Sequence, residues 1–220
     1  MELDKNNSSS GRDLIRTVAT ENLGDTMFDV AEVLLDQNLE DGAFKDLPVI
    51  SIFAKLARAK KSVSEEFFIR KLVRFLSDLN SVSIQDREKL LNKYPDSSEE
   101  QKILGENILL AIERLDDINK PIIFARIFSA YIKSNIDYVT FTRLSRALEK
   151  FNLELLPNLR WYYTREDPVA VTPEEIIHEL SLAGLVTAWL HGSGALGGSA
   201  RYVQSDIGKV FLRIGFNVQV

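Results

Sequence analysis

The chain has no cysteine, which excludes disulfides, thiolate metal sites and cysteine nucleophiles. Histidine is almost as scarce. His178 and His191 are the only two in 220 residues, too few for a histidine-rich metal centre. Six prolines and eleven glycines are few, and most of the glycines fall late in the chain; that suits long helices first and a turn-rich segment at the end. No long hydrophobic run is present. The longest, Leu47 to Ala54, is interrupted by Pro48 and Ser51 and falls far short of the roughly 20 residues that span a bilayer. An excess of positive charge is also missing: the net charge of −5 gives no general attraction for nucleic acid. The first twelve residues are polar and lack an apolar core behind a basic start, so no signal peptide is expected. A cytoplasmic location fits these absences.

What remains is ordinary globular material, 45% apolar and 27% charged, enough for a core of normal size. The charge is uneven along the chain. Residues 1–46 carry eleven acidic and four basic side chains. Residues 47–75 carry Lys55, Arg58, Lys60, Lys61, Arg70, Lys71 and Arg74 against only Glu65 and Glu66. The plain expectation is that the two segments pack together and neutralise each other.

Apolar spacing and start signals place a series of helices. Residues 1–12 read as a disordered tail, because their Asn/Ser/Gly run buries too little to offset ordering entropy. Leu23, Met27, Val30, Ala31, Leu34 and Leu35 line one face of a helix over roughly Asp13 to Asn38. Ser62 with Glu65, and Ser98 with Gln101, read as capping boxes. Ser83 opens a helix that ends before Pro95. Asn119-Lys120-Pro121 and Asp137 mark two more starts. Short helices with tight links predict an antiparallel bundle over 13–156. After Pro157 the order becomes helix, strand, glycine-rich hairpin, strand, helix, with β structure confined to residues after about 185.

Two resemblances attach to particular residues. Gly184-Leu185-Val186 at the end of a helix, then Tyr202-x-x-Ser205-x-x-Gly208, resemble the tail of a winged-helix domain. That resemblance implies a small α+β domain over 157–220, with a recognition helix at about Thr172 to Ala183. Phe68-Ile69-Arg70-Lys71-Leu72, Gly105-Glu106-x-x-Leu109-Leu110, Glu113-Arg114-Leu115-Asp116-Asp117 and Ala130-Tyr131-Ile132 followed by Ile136-Asp137-Tyr138-x-x-Phe141 resemble a family of small uncharacterised bacterial helical proteins. This second likeness implies a bacterial or phage source and a link to mobile elements or phage defence. It carries no activity and no site residues.

Each motif that suggests chemistry has a simpler explanation beside it. Gly192-Ser-Gly194-Ala-Leu-Gly197 matches the dinucleotide fingerprint, but an extended segment follows it where the fingerprint needs a helix N-terminus, so a hairpin loop is expected. The loop Lys133 to Asp137 is too short and too poor in oxygen ligands for calcium. Glu113, Asp116 and Asp117 read as a helix end, and His178 with Glu174 and Glu175 as an exposed acidic face. No catalytic residue, cofactor or metal is nominated. Two sets remain as a candidate interaction surface: the basic residues Lys55, Arg58, Lys60 and Lys61, and the aromatics Trp161, Tyr162 and Trp189. From Pro157 to Val220 five basic residues face six acidic ones, so the expected recognition helix should repel a duplex. The leading expectation is a non-enzymatic protein that works through a protein partner or self-association. A DNA-binding regulator, and a membrane-surface effector using residues 47–61, are the alternatives.

Overall fold

The computed structural model describes residues 3–19, 23, 63–95, 98–165, 172–191 and 199–219. The described residues are mostly helical, with one two-stranded sheet, and the chain divides into two compact units, Met1–Asn135 and Ile136–Val220. The division falls earlier than the expected boundary at 156/157 and assigns the helix that starts at Tyr138 to the second unit.

Unit 1 contains α1 (Leu3–Val18), α2 (Val63–Leu79), α3 (Ile84–Lys93), α4 (Glu99–Arg114) and α5 (Lys120–Ile132). The start signals act as the sequence predicts. The Ser83 hydroxyl accepts from the Asp86 N–H at 3.2 Å, and the Ser98 hydroxyl from the Gln101 N–H at 3.1 Å. Each satisfies a donor that the helix leaves unpaired. Asn119 makes no side-chain cap; Pro121 in the first turn of α5 supplies the start instead. Contacts close into a ring: α1 on α4, α4 on α2, α2 on α5, α5 on α3, and α3 back on α1. Helix α5 is buried over most of its length, as its near-continuous apolar sequence requires. Phe75 of α2 lies between Phe124 and Phe128 of α5, at centroid distances of 5.3 and 5.9 Å.

The expected tail over 1–12 is corrected. Residues from Leu3 onward are helical, and Gly11 meets Gly105 backbone to backbone, so closely that a Cβ on Gly105 would lie 2.0 Å from the Gly11 carbonyl oxygen. In the sequence Gly11 closes a polar Asn/Ser run and reads as a mark of flexibility. Its function is to let two helices approach, which also buries Leu14, Ile15 and Val18. The expected helix start at Asp13 therefore moves to Leu3; the expected continuation over 24–38 lies outside the described residues.

Unit 2 contains α6 (Tyr138–Lys150), a short 3₁₀ turn (Leu153–Leu155), α7 (Leu156–Thr164), α8 (Glu174–Leu182), β1 (Val186–His191), β2 (Ser199–Gln204) and α9 (Asp206–Phe216). Asp137 caps α6, accepting from the Thr140 N–H at 2.7 Å, and hydrogen bonds from Thr140 hold its carboxyl below the ordinary range. β1 and β2 pair antiparallel from Val186↔Gln204 to His191↔Ser199. Among the described residues strand lies only after 185, as expected. Gly215 is buried inside α9, and Asn217 supplies the left-handed cap, at φ 55°. Phe151, Phe211 and Phe216 form an edge-to-face cluster, with neighbouring centroids 5.4 to 6.4 Å apart.

Candidate interaction surface

Of the predicted surface residues, only the aromatic set lies on described elements. Lys55, Arg58, Lys60 and Lys61 lie outside the described residues, and so does the membrane-surface reading of 47–61. Tyr162 is a correction: it is fully buried, and its hydroxyl donates to the Tyr202 carbonyl at 2.9 Å. It offers nothing to a partner. Trp161 is half-buried on α7, with the Arg165 guanidinium 5.4 Å from its ring centre. Trp189 sits on β1 opposite Arg201.

Tyr163 has a structural task as well. Its hydroxyl accepts from the Ser205 N–H at 2.9 Å and donates to the Leu185 carbonyl. It thereby ties α7 to the turn after α8 and to the start of α9. Ser205 in turn caps α9, accepting from the Gly208 N–H at 3.0 Å. A Cβ on Gly208 would lie 1.9 Å from the Tyr163 oxygen, so Gly208 must be glycine for this knot to close. The Tyr202–Ser205–Gly208 pattern thus marks a packing junction. Burial pushes the Tyr163 hydroxyl above its ordinary value of 10.0.

The acidic group near residue 116 is also structural. Asp117 accepts from the Asn119 N–H at 2.6 Å, and Asp116 pairs with Lys120 at 2.5 Å. Lys71 donates to the Glu113 and Leu115 carbonyls at 2.6 and 2.9 Å, and Arg74 donates to Asn119 Oδ1 at 3.0 Å. Lys71 thereby closes the C-terminal end of α4, where carbonyls lack helical partners and the dipole is negative, while Arg74 holds the turn before α5. Burial pushes the Lys71 ammonium below its ordinary 10.5. Arg87 does the same for α1, donating to the Val18 carbonyl at 2.9 Å and to the Val82 carbonyl at 3.1 Å. No group of three potential metal ligands occurs among the described residues. The fingerprint glycines 192–197 lie outside the described residues, but the strands flanking them are antiparallel neighbours, which is not the βαβ unit that dinucleotide binding uses.

Among the described residues of unit 2, two exposed helix faces are opposite in charge. On α6 the exposed residues Val139, Arg143, Arg146 and Lys150 recur at three- and four-residue spacing. The three cations make no ion pair among the described residues. On α8 the exposed face holds Glu174, Glu175, His178, Glu179 and Leu182. Val139 is 64% exposed and Leu182 61%. The basic face went unremarked in the sequence. It is the complement of the Phe141, Leu144 and Leu148 spacing that marks the buried side, and it was legible on those grounds. No helix among the described residues is long and apolar enough to cross a membrane. No family model, curated protein or solved structure matches the chain.

Proposed function

We propose that this is a non-enzymatic bacterial interaction or regulatory protein, cytoplasmic and linked to mobile elements or phage defence. In this reading unit 1 is an antiparallel helical bundle and unit 2 a winged-helix-like docking module. The observation that carries the proposal is the exposed face of α8. In a winged-helix arrangement the helix before the hairpin would meet DNA, yet this one presents Glu174, Glu175 and Glu179 with an exposed leucine and no cation. Phosphates are repelled by such a face, whereas a protein surface with basic and apolar groups complements it. The competing regulator reading draws on the cations of α6.

Fluorescence anisotropy of the full chain with random-sequence duplex at roughly 100 mM salt separates the two, since duplex binding depends steeply on salt. We expect affinity no better than the non-specific range of about 10⁻⁴ M. Sub-micromolar binding that falls steeply with salt would replace the docking reading with the regulator. Crosslinking in the native host should place protein contacts on α8. Charge reversal of Glu175 and Glu179 to lysine should abolish those contacts.

A further inference from the structure

We infer that unit 2 pairs with a second copy of itself, α6 of one copy lying antiparallel against α8 of the other. The proposal rests on the docking reading and names its partner. Three observations carry it. The faces are opposite in charge, with Arg143, Arg146 and Lys150 on α6 against Glu174, Glu175 and Glu179 on α8. Each carries one strongly exposed aliphatic residue at its edge, Val139 on the first and Leu182 on the second. The spacings match in reverse: Arg146 lies seven residues after Val139 and Glu175 seven before Leu182, about 10.5 Å in each case at 1.5 Å per residue. With Val139 set against Leu182, Arg146 falls beside Glu175, and Arg143, level with His178, lies one residue from Glu179. Lys150 extends toward Glu174.

Helix dipoles explain only part of this pattern. They favour acids in a first turn and bases in a last turn, which accounts for Glu174, Glu175 and Lys150. Glu179 lies near the C-terminal end of α8, where the dipole disfavours an acid. Arg143 and Arg146 lie within α6, and neither exposed aliphatic residue has a dipole rationale. Both faces are exposed within one chain, so they do not satisfy each other in the same copy. Two short helices make a small contact, and affinity on the order of 10–100 µM is the scale to expect.

Sedimentation velocity of the full chain over roughly 1–200 µM tests this at low and high salt. We expect the average mass to rise above that of the monomer with concentration. Raising salt from about 0.1 M to 0.5 M should weaken association at least about tenfold, because the contact is ionic. Reversing α6 (Arg143→Glu with Arg146→Glu) leaves two acidic faces and should give a monomer. Reversing α8 (Glu175→Lys with Glu179→Lys) leaves two basic faces and should do the same. Mixing the two variants restores opposite charges across both contacts and should restore association, as should all four substitutions in one chain. This rescue separates lost pairing from lost folding. A wild type that stays monomeric throughout, or association that survives either reversal, overturns the self-pairing and leaves the docking reading standing. Duplex binding that is lost in the α6 reversal overturns both.

Discussion

The two units meet the same physical demand with opposite chemistry. Helix and strand ends leave backbone groups without partners, and both units bury such ends. Unit 1 satisfies them with cations: Lys71 on the Glu113 and Leu115 carbonyls, Arg87 on the Val18 carbonyl. Unit 2 uses neutral hydroxyls: Tyr162 on the Tyr202 carbonyl, Tyr163 and Ser205 around residues 184–208. A cation makes a stronger hydrogen bond but costs more to desolvate; a hydroxyl is cheaper to bury and both donates and accepts. The units should therefore differ in their response to pH. Both tryptophans, Trp161 and Trp189, lie in unit 2, so tryptophan fluorescence follows that unit while far-ultraviolet circular dichroism follows the helices of both.

The largest effects should come from glycine contacts, one in each unit. Gly105→Ala places a Cβ against the Gly11 backbone, and Gly208→Ala places one against Tyr163 and the Leu185 carbonyl. Overpacking of this kind costs about 1–3 kcal/mol and more where backbone must move. In urea titrations Gly208→Ala should shift the fluorescence transition first, and Gly105→Ala the dichroism transition. Coincident shifts for both would show the units unfolding as one.

Next are the capping groups themselves. Lys71→Met strips both carbonyls of α4 of a charged donor and should cost about 1.5–3 kcal/mol. Tyr163→Phe leaves the Ser205 N–H without its acceptor and should cost about 1–3 kcal/mol. The Leu185 carbonyl keeps the Ser205 hydroxyl at 3.0 Å, which places Tyr163→Phe toward the lower end.

Alkaline titration should push the two capping groups in opposite directions. Lys71 has a folded pKa below its ordinary 10.5, so the unfolded chain holds the extra proton between the two values. Stability contributed at that site rises with pH through that window. Tyr163 has a folded pKa above 10.0. Its contribution is complete below 10.0 and is lost as pH rises toward the folded value. Denaturant titrations across this range should show Lys71→Met losing the upward term and Tyr163→Phe losing the downward one. Parallel pH profiles for wild type and Tyr163→Phe would remove the tyrosine from the account.

The smallest effects are on the surface. Ser98→Ala removes the α4 cap and should cost about 1 kcal/mol. Arg70→Ala, which breaks the exposed pair with Glu66, should change neither transition measurably. A larger loss at Arg70 would mean that its face is covered in solution.

Local signals were read well from the chain. Ser83, Ser98 and Asp137 cap helices where hydroxyls or carboxylates stand ahead of apolar periodicity, and the two strands lie where the late glycines predict a hairpin. Such signals depend on residues a few positions apart. The failures all involved distant partners. Gly11 reads as flexible until Gly105 is seen beside it, and Tyr162 reads as an interface aromatic until its hydroxyl meets Tyr202, 40 positions away. The cation that closes α4, Lys71, lies more than forty residues before the Glu113 and Leu115 carbonyls it meets. As for the candidate surface, the buried stripe of α6 was legible and its charged complement follows from it, whereas the exposure of that charged face and its lack of an ion pair among the described residues required coordinates.

The meeting of Gly11 with Gly105 also orders events during synthesis. Ninety-four residues separate the two, and ribosomes add roughly 5–20 residues per second. The apolar face of α1 therefore emerges roughly 5–20 seconds before the helix it packs against exists. Throughout that interval Leu14, Ile15 and Val18, which end fully enclosed, have no native partner on α4. Over that interval the apolar face of α1 is open to chaperones and proteases, and Gly11 is a position whose enlargement would prolong that exposure.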